Sequence, residues 1–214
     1  MFGVTMIVLH KGLEVKLRAF SKEDLPTLVK HFSSMKVHLH TKGMFAQTLE
    51  NEEEWYDKRR TDPECCLWAI QPTGSDVPVG VTGLHNLVSR ENSCYSGIII
   101  WDPKWWGKGV ASTAHLGRTM FAADFLNRFS IRSTVRVVNE ASRKALEGVG
   151  YTVWGEEPVD DFRDGKWLDT YHLIWLRPSS VNFMFPQGVP QKYIQGVERA
   201  RLTMEIARKE VVFV

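Results

Sequence analysis

The sequence predicts an α+β fold with a mostly antiparallel central sheet of about seven strands. Charged and apolar residues alternate over residues 14–20, which is typical of a half-buried strand. Three apolar or alternating runs over 65–70, 77–87 and 93–101 are separated only by turn-rich segments, so we expect consecutive strands that pair antiparallel. Beyond Trp101 the apolar residues recur at helical spacing, and helices then alternate with strands.

Two helices lie between the first strand and the next three. The first begins after Ser21, whose hydroxyl can cap a helix N-terminus. The second covers 51–62, where glutamates come first and lysine and arginines come last, in the order that complements the helix dipole. The later elements are a helix over 110–126, a strand over 131–138, a helix over 141–149, strands over 151–156 and 167–176, and a C-terminal helix over 192–210.

The charge balance excludes one class of partner. Lys and Arg together number 27 and Asp and Glu 25, so the net charge is +2. Nucleic-acid binding depends on a basic stripe that neutralises many phosphates, and the sequence contains no such stripe. We therefore expect no nucleic-acid partner.

The cysteines and the N-terminus indicate the compartment. Cys65, Cys66 and Cys94 are odd in number and two are adjacent, which disfavours a disulfide framework and fits a reducing environment. No Cys and His set with tetrahedral spacing accompanies them, so we expect no metal site. Residues 1–9 are apolar but too short for a membrane span, and they lack the flanking features of a signal peptide. We therefore expect a cytoplasmic protein without a membrane partner.

The most informative stretch is WDPKWWGKGVAS at residues 101–112. Gly107 and Gly109 lie between a strand and a helix, where the absence of a Cβ allows a tight turn and the close approach of a ligand. The first N–H groups of the following helix point at one place, and the helix dipole favours an anion such as a pyrophosphate there. The stretch predicts an anion site, although a tight connection without a ligand fits the same residues.

Two other phosphate-binding patterns do not fit this stretch. A Walker sequence has Ser or Thr after its Gly-Lys, whereas Gly109 follows Lys108 here. A dinucleotide fingerprint has a third glycine and follows the first strand of a parallel unit, whereas Ser112 stands at that position and the preceding strands form a meander. Nucleotide hydrolysis and hydride transfer are therefore disfavoured.

Residues 106–111 resemble the acetyl-CoA-binding turn of the GCN5-related N-acetyltransferases (GNAT), whose pattern is Gln/Arg-x-x-Gly-x-Gly/Ala. Trp106 stands where the family usually has Gln or Arg. Asn139 at the end of a strand, followed by Ser142 and by Gly-Tyr at 150–151, resembles a second pattern of the family. Within the family, segments 17–21, 80–83, 102–109 and 164–169 resemble the RimJ and RimL branch of ribosomal-protein N-terminal acetyltransferases.

The resemblance covers about residues 13–178 and implies the GNAT fold, with helices on both faces of a twisted sheet. It divides the chain into an acetyltransferase domain over 1–178 and a C-terminal extension with a helix over 179–214. We expect Ile194, Val197 and Met204 of that helix to face inward. The extension could cap the sheet, exchange between the subunits of a homodimer or cover the acceptor site.

The resemblance also implies acetyl-CoA as the acetyl donor and assigns residues to it. Main-chain N–H groups of strand four, where it splays from strand five, would polarise the thioester carbonyl, and the pyrophosphate would lie on the turn with Lys108 near a phosphate. Asn139 would reach the pantetheine amides, beside Ser142. The cofactor-binding residues are Ile98, Ile99, Ile100, Trp106, Gly107, Lys108, Gly109, Val110, Ala111, Asn139 and Ser142.

Two departures from the family pattern affect the catalytic assignment. Leu146 stands where many relatives have a tyrosine that protonates the thiolate, and Ser96 is nearest to the position of a frequent glutamate base. The candidates for catalytic groups are therefore His85, Tyr95 and Ser142, and each also fits a structural role. A histidine near neutral pH is a plausible base through a water.

Acidic residues indicate the acceptor side. Asp160 and Asp161 belong to an acidic segment over 156–164 that we expect to form a loop over the acceptor mouth, where acid would attract a cationic amine. The resemblance implies acetyl transfer to a primary amine, most readily a protein N-terminal amine, by direct attack in a ternary complex. The alternatives are a small cationic amine, such as an aminoglycoside or polyamine, and a non-catalytic acyl-CoA-binding module.

Overall fold

The computed structural model describes residues 1–39 and 46–214, and its strands form one sheet. The strands are β1 (Met6–His10), β2 (Leu13–Arg18), β3 (Cys65–Pro72), β4 (Gly80–His85), β5 (Ser93–Ile100), β6 (Ser130–Arg136), β7 (Thr152–Arg163), β8 (Lys166–Leu176) and β9 (Val211–Phe213). The α-helices are α1 (Leu25–Phe32), α2 (Met35–His38), α3 (Leu49–Thr61), α4 (Val110–Met120), α5 (Glu140–Gly148), α6 (Val181–Met184) and α7 (Gln191–Glu210).

The sheet is mostly antiparallel, as the sequence predicts. Its strand order is β7-β8-β6-β5-β4-β3-β2-β1-β9, and each neighbouring pair is antiparallel except β5 and β6. These two run parallel because α4 crosses over between them. The carboxyl ends of β5 and β6 therefore lie at the same edge of the sheet, and each is followed by a helix.

The prediction of about seven strands missed two at one edge of the sheet. In the described residues there are nine, because β1 and β9 extend the sheet beyond β2. Met6 and Val8 of β1 are fully buried, and Ile7 between them pairs with Val212 of β9. β1 has no charged residue on either face, and β9 has only three residues, so neither shows the polar alternation by which a strand is recognised.

Helices cover both faces of the sheet, as expected. On one face α4, α5 and α7 pack over a large core that includes Trp68 and Trp175. On the other face α1 and α3 pack over a smaller core, where Phe20 meets Trp101 edge-on with the ring centroids 6.3 Å apart. The cavity described below lies within the sheet, between these two layers.

The single helix predicted over 110–126 is interrupted. α4 ends at Met120, and Phe121–Phe125 form a π-helical turn in which the N–H of Leu126 donates to the Phe121 carbonyl. This wider turn places Phe125 against Phe213 of β9, with the ring centroids 4.7 Å apart. A change of hydrogen-bond register does not alter the apolar spacing enough to be seen in the sequence.

The acidic loop predicted over 156–164 is part of a long hairpin instead. β7 continues to Arg163, and the chain turns at Asp164 and Gly165, which both have positive φ, before β8 begins. Two irregularities in the β7–β8 register take up the additional residues. Since β7 is an edge strand with one side open to water, its charged residues resemble those of a loop.

The C-terminal helix is present as α7, but its inner face differs from the prediction. Met204 is buried and Val197 is half-buried, whereas Ile194 is 44% exposed, so the prediction for Ile194 is wrong. Small residues lie against the sheet instead, because α7 passes very close to Gly150 and Thr152, where β7 begins. A Cβ on Gly196 would lie 2.0 Å from Thr152 Oγ1.

None of the helices in the described part of the chain combines the length and the hydropathy that a membrane span requires.

Candidate active site

A cavity of about 380 Å³ lies where β5 and β6 separate. The two strands pair only from Ser93 to Tyr95 on β5, opposite Ser130 to Arg132 on β6. β6 then stays with β8 while β5 stays with β4, so the space between them opens into a fork. Side chains hold the fork at its narrow end, where Ser133 Oγ donates to the Ser96 carbonyl at 3.1 Å.

Two main-chain N–H groups of β5 face into this fork. Odd-numbered residues turn their main-chain groups toward β4, since the Gly97 carbonyl accepts from Thr82 Oγ1 at 2.9 Å and the N–H of Trp101 donates to the Val79 carbonyl at 2.9 Å. Main-chain groups alternate between the two sides of a strand. Ile98 and Ile100 therefore direct their N–H groups toward β6, whereas Ile99 directs its N–H toward β4.

The turn after β5 has the geometry of an anion site. Gly107 and Gly109 have φ values of +73° and +84°, in the left-handed region that favours glycine, and Gly109 is the N-cap of α4. The first N–H groups of α4 are thereby presented beside the open end of the fork. Val110 is buried in the core and Ala111 is half-buried, so these two contribute main-chain groups rather than side chains.

Aromatic side chains support the turn. Trp106 Nε1 donates to the Ile100 carbonyl at 2.8 Å, which ties the turn to the end of β5. The Nζ of exposed Lys108 lies 5.2 Å from the centre of the Trp105 ring, in a cation–π contact. Trp106 therefore has a structural function where the family pattern has Gln or Arg.

One face of α5 forms the wall of the cavity beside β6. Asn139, Ser142 and Leu146 line it, at helical spacing. Asn139 is the N-cap of α5, and its Oδ1 accepts from the N–H of Ser142 at 3.1 Å. The NH₂ group of Asn139 makes no hydrogen bond to the described residues and can donate to a ligand in the cavity.

His85 lies on the opposite wall, at the end of β4. Its Nδ1 is 3.4 Å from the Cys65 Sγ, and its Nε2 lies 3.9 Å from the place where a Cβ of Gly97 would stand. Burial lowers the pKa of His85, and the positive charges of Arg59 and Arg118 lower it further. The imidazole is therefore neutral at neutral pH, as a proton acceptor must be.

Unlike His85 and Ser142, the catalytic candidate Tyr95 lies away from the cavity. Tyr95 does not line the cavity; its side chain is 40% exposed and stacks beside the Arg132 guanidinium, 6.0 Å from the ring centre. Ser96, the residue nearest to the frequent glutamate position, is buried and lines the cavity, and its Oγ donates to the Arg132 carbonyl at 3.3 Å.

The two predicted acceptor carboxylates are engaged within the protein. Asp161 forms ion pairs with Arg136 and with Arg163, the latter at 3.1 Å. Asp160 accepts a hydrogen bond from Thr170 Oγ1 at 2.6 Å. The predicted loop is a strand here, and of these two acids Asp161 is paired with arginines. A role of Asp160 and Asp161 in binding the acceptor stays a prediction.

Sequence analysis missed several polar residues that line the cavity, among them Arg136, Thr170 and Thr82. Arg136 also donates to the Leu39 carbonyl at 2.5 Å, which connects the end of α2 to the cavity wall. These residues lie on separate strands without a local motif, so their convergence depends on strand register. The described residues contain no group of three or more His, Cys, Asp or Glu that could hold a metal ion.

Comparison with known proteins places this geometry in context. A family model described as "Acetyltransferase (GNAT) domain" matches residues 14–152. No curated protein matches the chain. One similar solved structure is a spermidine N-acetyltransferase from Vibrio cholerae in complex with CoA and spermine. Its TM-score is 0.68, and its sequence is 22% identical over 76% of this chain and 95% of that one. Another similar solved structure is Mycobacterium smegmatis RimJ in complex with CoA-disulfide. Its TM-score is 0.68, and its sequence is 18% identical over 99% of this chain and 96% of that one.

Proposed function

Since the chain belongs to the GNAT acetyltransferase family and is an N-acetyltransferase with acetyl-CoA as its donor, we propose that its acceptor is the amine at the N-terminus of a protein. This acceptor is that of the RimJ and RimL branch, which four segments of the sequence resemble. The three cysteines are free and buried, which supports a reducing, cytoplasmic location.

The fork supplies the groups that acetyl transfer requires. The N–H of Ile98 donates to the oxygen of the thioester carbonyl as negative charge develops on it. The N–H of Ile100 lies about 6.7 Å further along the strand, too far to share that oxygen, and serves the pantetheine arm instead. The first turn of α4 and Lys108 hold the pyrophosphate, and Asn139 contacts the pantetheine arm. These residues fit acetyl-CoA because Ile98 lines the cavity and the anion turn follows β5 at the end where β5 and β6 no longer pair.

His85 and Ser142 are the candidates for moving protons. Neutral His85 accepts a proton from the incoming ammonium through water, which leaves the amine free to attack the carbonyl carbon. After the attack the nitrogen loses a second proton, and the Ser142 hydroxyl, on the α5 wall, is the candidate to relay that proton to the departing thiolate, so that the serine regains a proton as it donates one. Tyr95 has no part in this mechanism, because its side chain does not line the cavity.

The cysteines support direct attack rather than an acetyl-cysteine intermediate. Burial raises the pKa of Cys66 to about 12 and that of Cys94 to about 11, and it also raises the pKa of Cys65. Only the thiolate is a good nucleophile. With all three sulfurs protonated at neutral pH, the amine itself attacks within a ternary complex.

The charge of the cavity wall favours a protein N-terminus over a polyamine as the acceptor. Among the described residues that line the cavity, Arg136 is charged and none is a carboxylate. A polyamine with several positive charges would meet this arginine, and the nearby Asp161 is already paired with it. A protein N-terminus brings only one ammonium, which loses its charge before transfer.

The test is a panel of acceptors assayed for release of CoA thiol from acetyl-CoA. Peptides with free N-termini are compared with spermidine, spermine and an aminoglycoside, and the same peptides blocked by N-terminal acetylation are the control. We expect kcat/KM for at least one free peptide to exceed that for each polyamine by tenfold or more. Turnover of the polycations at a higher kcat/KM than every peptide would instead support the small-amine alternative.

A further inference from the structure

Arg118 of α4 carries a positive charge into the core beside the fork. Its side chain is 0% exposed. Its Nη1 donates to Thr82 Oγ1 at 2.6 Å and to the Gly97 carbonyl at 2.9 Å, whereas its Nε and Nη2 have no hydrogen-bond partner among the described residues. A guanidinium is charged at every physiological pH, and burying it without a carboxylate partner is unfavourable. Packing alone therefore does not explain a cation at this place.

The carbonyl that Arg118 contacts belongs to the same peptide group as the Ile98 N–H, which faces into the fork. The C=O of Gly97 and the N–H of Ile98 are the two ends of one planar amide, and they point to opposite sides of β5. The Gly97 oxygen also accepts from Thr82 Oγ1 at 2.9 Å, and that hydroxyl is itself the acceptor for Arg118. Two side-chain donors, one of them charged, therefore converge on this oxygen.

Hydrogen bonds to an amide oxygen strengthen donation by the N–H of the same amide. They favour the resonance form with negative charge on oxygen and positive charge on nitrogen, so the N–H becomes a better donor. A buried cation at the carbonyl end has the same effect through its field, which is strong in a medium of low dielectric constant. Both effects act on the Ile98 N–H, which faces the thioester carbonyl in the mechanism proposed above.

We propose that Arg118 is a positioning residue for acetyl transfer, which acts through Thr82 and the Gly97–Ile98 peptide to strengthen the N–H donor at the fork. This proposal rests on the proposed function of the fork as the thioester site. It is independent of the identity of the acceptor. A merely structural Arg118 would fix α4 against β4 and β5 without changing the polarisation of a bound thioester.

The experiment compares four variants in the full chain. Arg118→Met removes the charge at similar length, and Thr82→Val removes the bridging hydroxyl while leaving Arg118 in place. Thr82→Ser restores that hydroxyl. Thr119→Val is the matched control, because Thr119 is buried on the same helix and its hydroxyl contacts Tyr151, not the fork peptide.

The decisive measurement is the stretching frequency of the thioester carbonyl in bound acetyl-CoA. It is obtained by difference infrared spectroscopy with acetyl-CoA labelled with ¹³C at that carbonyl, and no acceptor is present. In the wild type we expect the band below that of free acetyl-CoA, since a hydrogen-bonded carbonyl is polarised. In Arg118→Met we expect the band to return toward the free value, with kcat lowered about tenfold, less than the roughly 10²-fold or more seen when a donor is removed outright. The Kd of CoA should stay within about threefold, since the anion turn is untouched.

Thr82→Val should shift the band in the same direction by a smaller amount, while Thr82→Ser and Thr119→Val should match the wild type. If Arg118→Met does not fold, the two Thr82 variants decide the question alone. A band that stays at the wild-type frequency in Arg118→Met, or in Thr82→Val where only that variant folds, would overturn the proposal even if kcat fell. Failure of the wild type to bind acetyl-CoA would contradict the proposed function instead, and failure of every peptide acceptor would leave the infrared result unaffected.

Discussion

The two ring nitrogens of His85 face different surroundings. Its Nδ1 contacts the protonated thiol of Cys65 in the interior, while its Nε2 lies over Gly97 beside the fork. Burial and two arginines lower the pKa of His85, so protonation is unfavourable in the folded protein. At the residue scale, burial and the charges of Arg59 and Arg118 therefore keep the imidazole neutral, as a base requires.

The pH dependence of His85→Gln tests the role of this imidazole. Burial lowers the pKa of His85 from its ordinary value, so in the wild type kcat/KM should fall as the pH drops through that lowered pKa and the base becomes protonated. We expect His85→Gln to lower kcat at pH 8 by about 10²-fold and to flatten this acidic limb. The measurement is the pH profile of initial rates with saturating acetyl-CoA.

His172→Gln is the matched control, because His172 contacts Glu157 on the β7–β8 hairpin and does not line the cavity. Its pH profile should follow that of the wild type. An acidic limb in His85→Gln identical to that of the wild type would contradict the assignment of His85 as the base.

At the scale of elements, the turn into α4 is defined by backbone conformation. Gly109 adopts φ +84° directly before the helix, and the nearest atom to a Cβ at that place would be 3.8 Å away. A side chain would therefore fit in the available space, but the left-handed conformation would cost it about 1–2 kcal/mol. The glycine is required by the turn and not by crowding.

Gly109→Ala should therefore affect both stability and donor binding. Relief of the strain moves the first N–H groups of α4 away from a common direction, and losing one hydrogen bond to a charged phosphate costs about 1.5–3 kcal/mol. We expect the Kd of CoA, measured by isothermal titration, to rise about tenfold or more. Gly148→Ala, in α5 with no atom within 4 Å of its Cβ and no positive φ, is the control and should leave the Kd unchanged. Equal Kd values in the two variants would rule out the turn as the phosphate site.

At the scale of the whole molecule, the C-terminal segment is part of the core and of the sheet. Ala200, Met204 and Ala207 of α7 belong to the larger core, and β9 pairs with β1. Thr203 Oγ1 also donates to the Val149 carbonyl at 3.0 Å, just before β7. The segment over 179–214 therefore completes the face of the sheet that α4 covers in part.

Removal of a single buried methionine side chain lowers the free energy of unfolding by about 2–5 kcal/mol. Deletion of residues 179–214 should destabilise the protein by more than this amount. The measurement is chemical denaturation followed by tryptophan fluorescence. Arg208→Ala is the comparison, since it removes only the exposed ion pair with Asp124 and should cost at most about 1 kcal/mol. A truncated chain as stable as Arg208→Ala would show that α7 contributes no core packing.

The sequence predicts best those features that are determined within a few residues. The turn at Gly107 and Gly109 is local, and the structure has it. The pairing of Asp161 with Arg136 could not be predicted, because it depends on register irregularities in β7. Ile194 illustrates a second limit: apolar spacing predicts large residues inside a helix interface, whereas the close approach of α7 at Gly196 requires small ones.

The direction of the Ile98 and Ile100 N–H groups has a consequence for how this enzyme tolerates mutation. Every amino acid except proline supplies a main-chain N–H, so point substitutions at either position leave both donors in place. A deletion or insertion of one residue in β5 would reverse the alternation and turn both donors toward β4. In the mechanism proposed above, acetyl transfer is therefore tolerant of changes of side-chain identity at these positions, other than to proline, and vulnerable to changes in chain length.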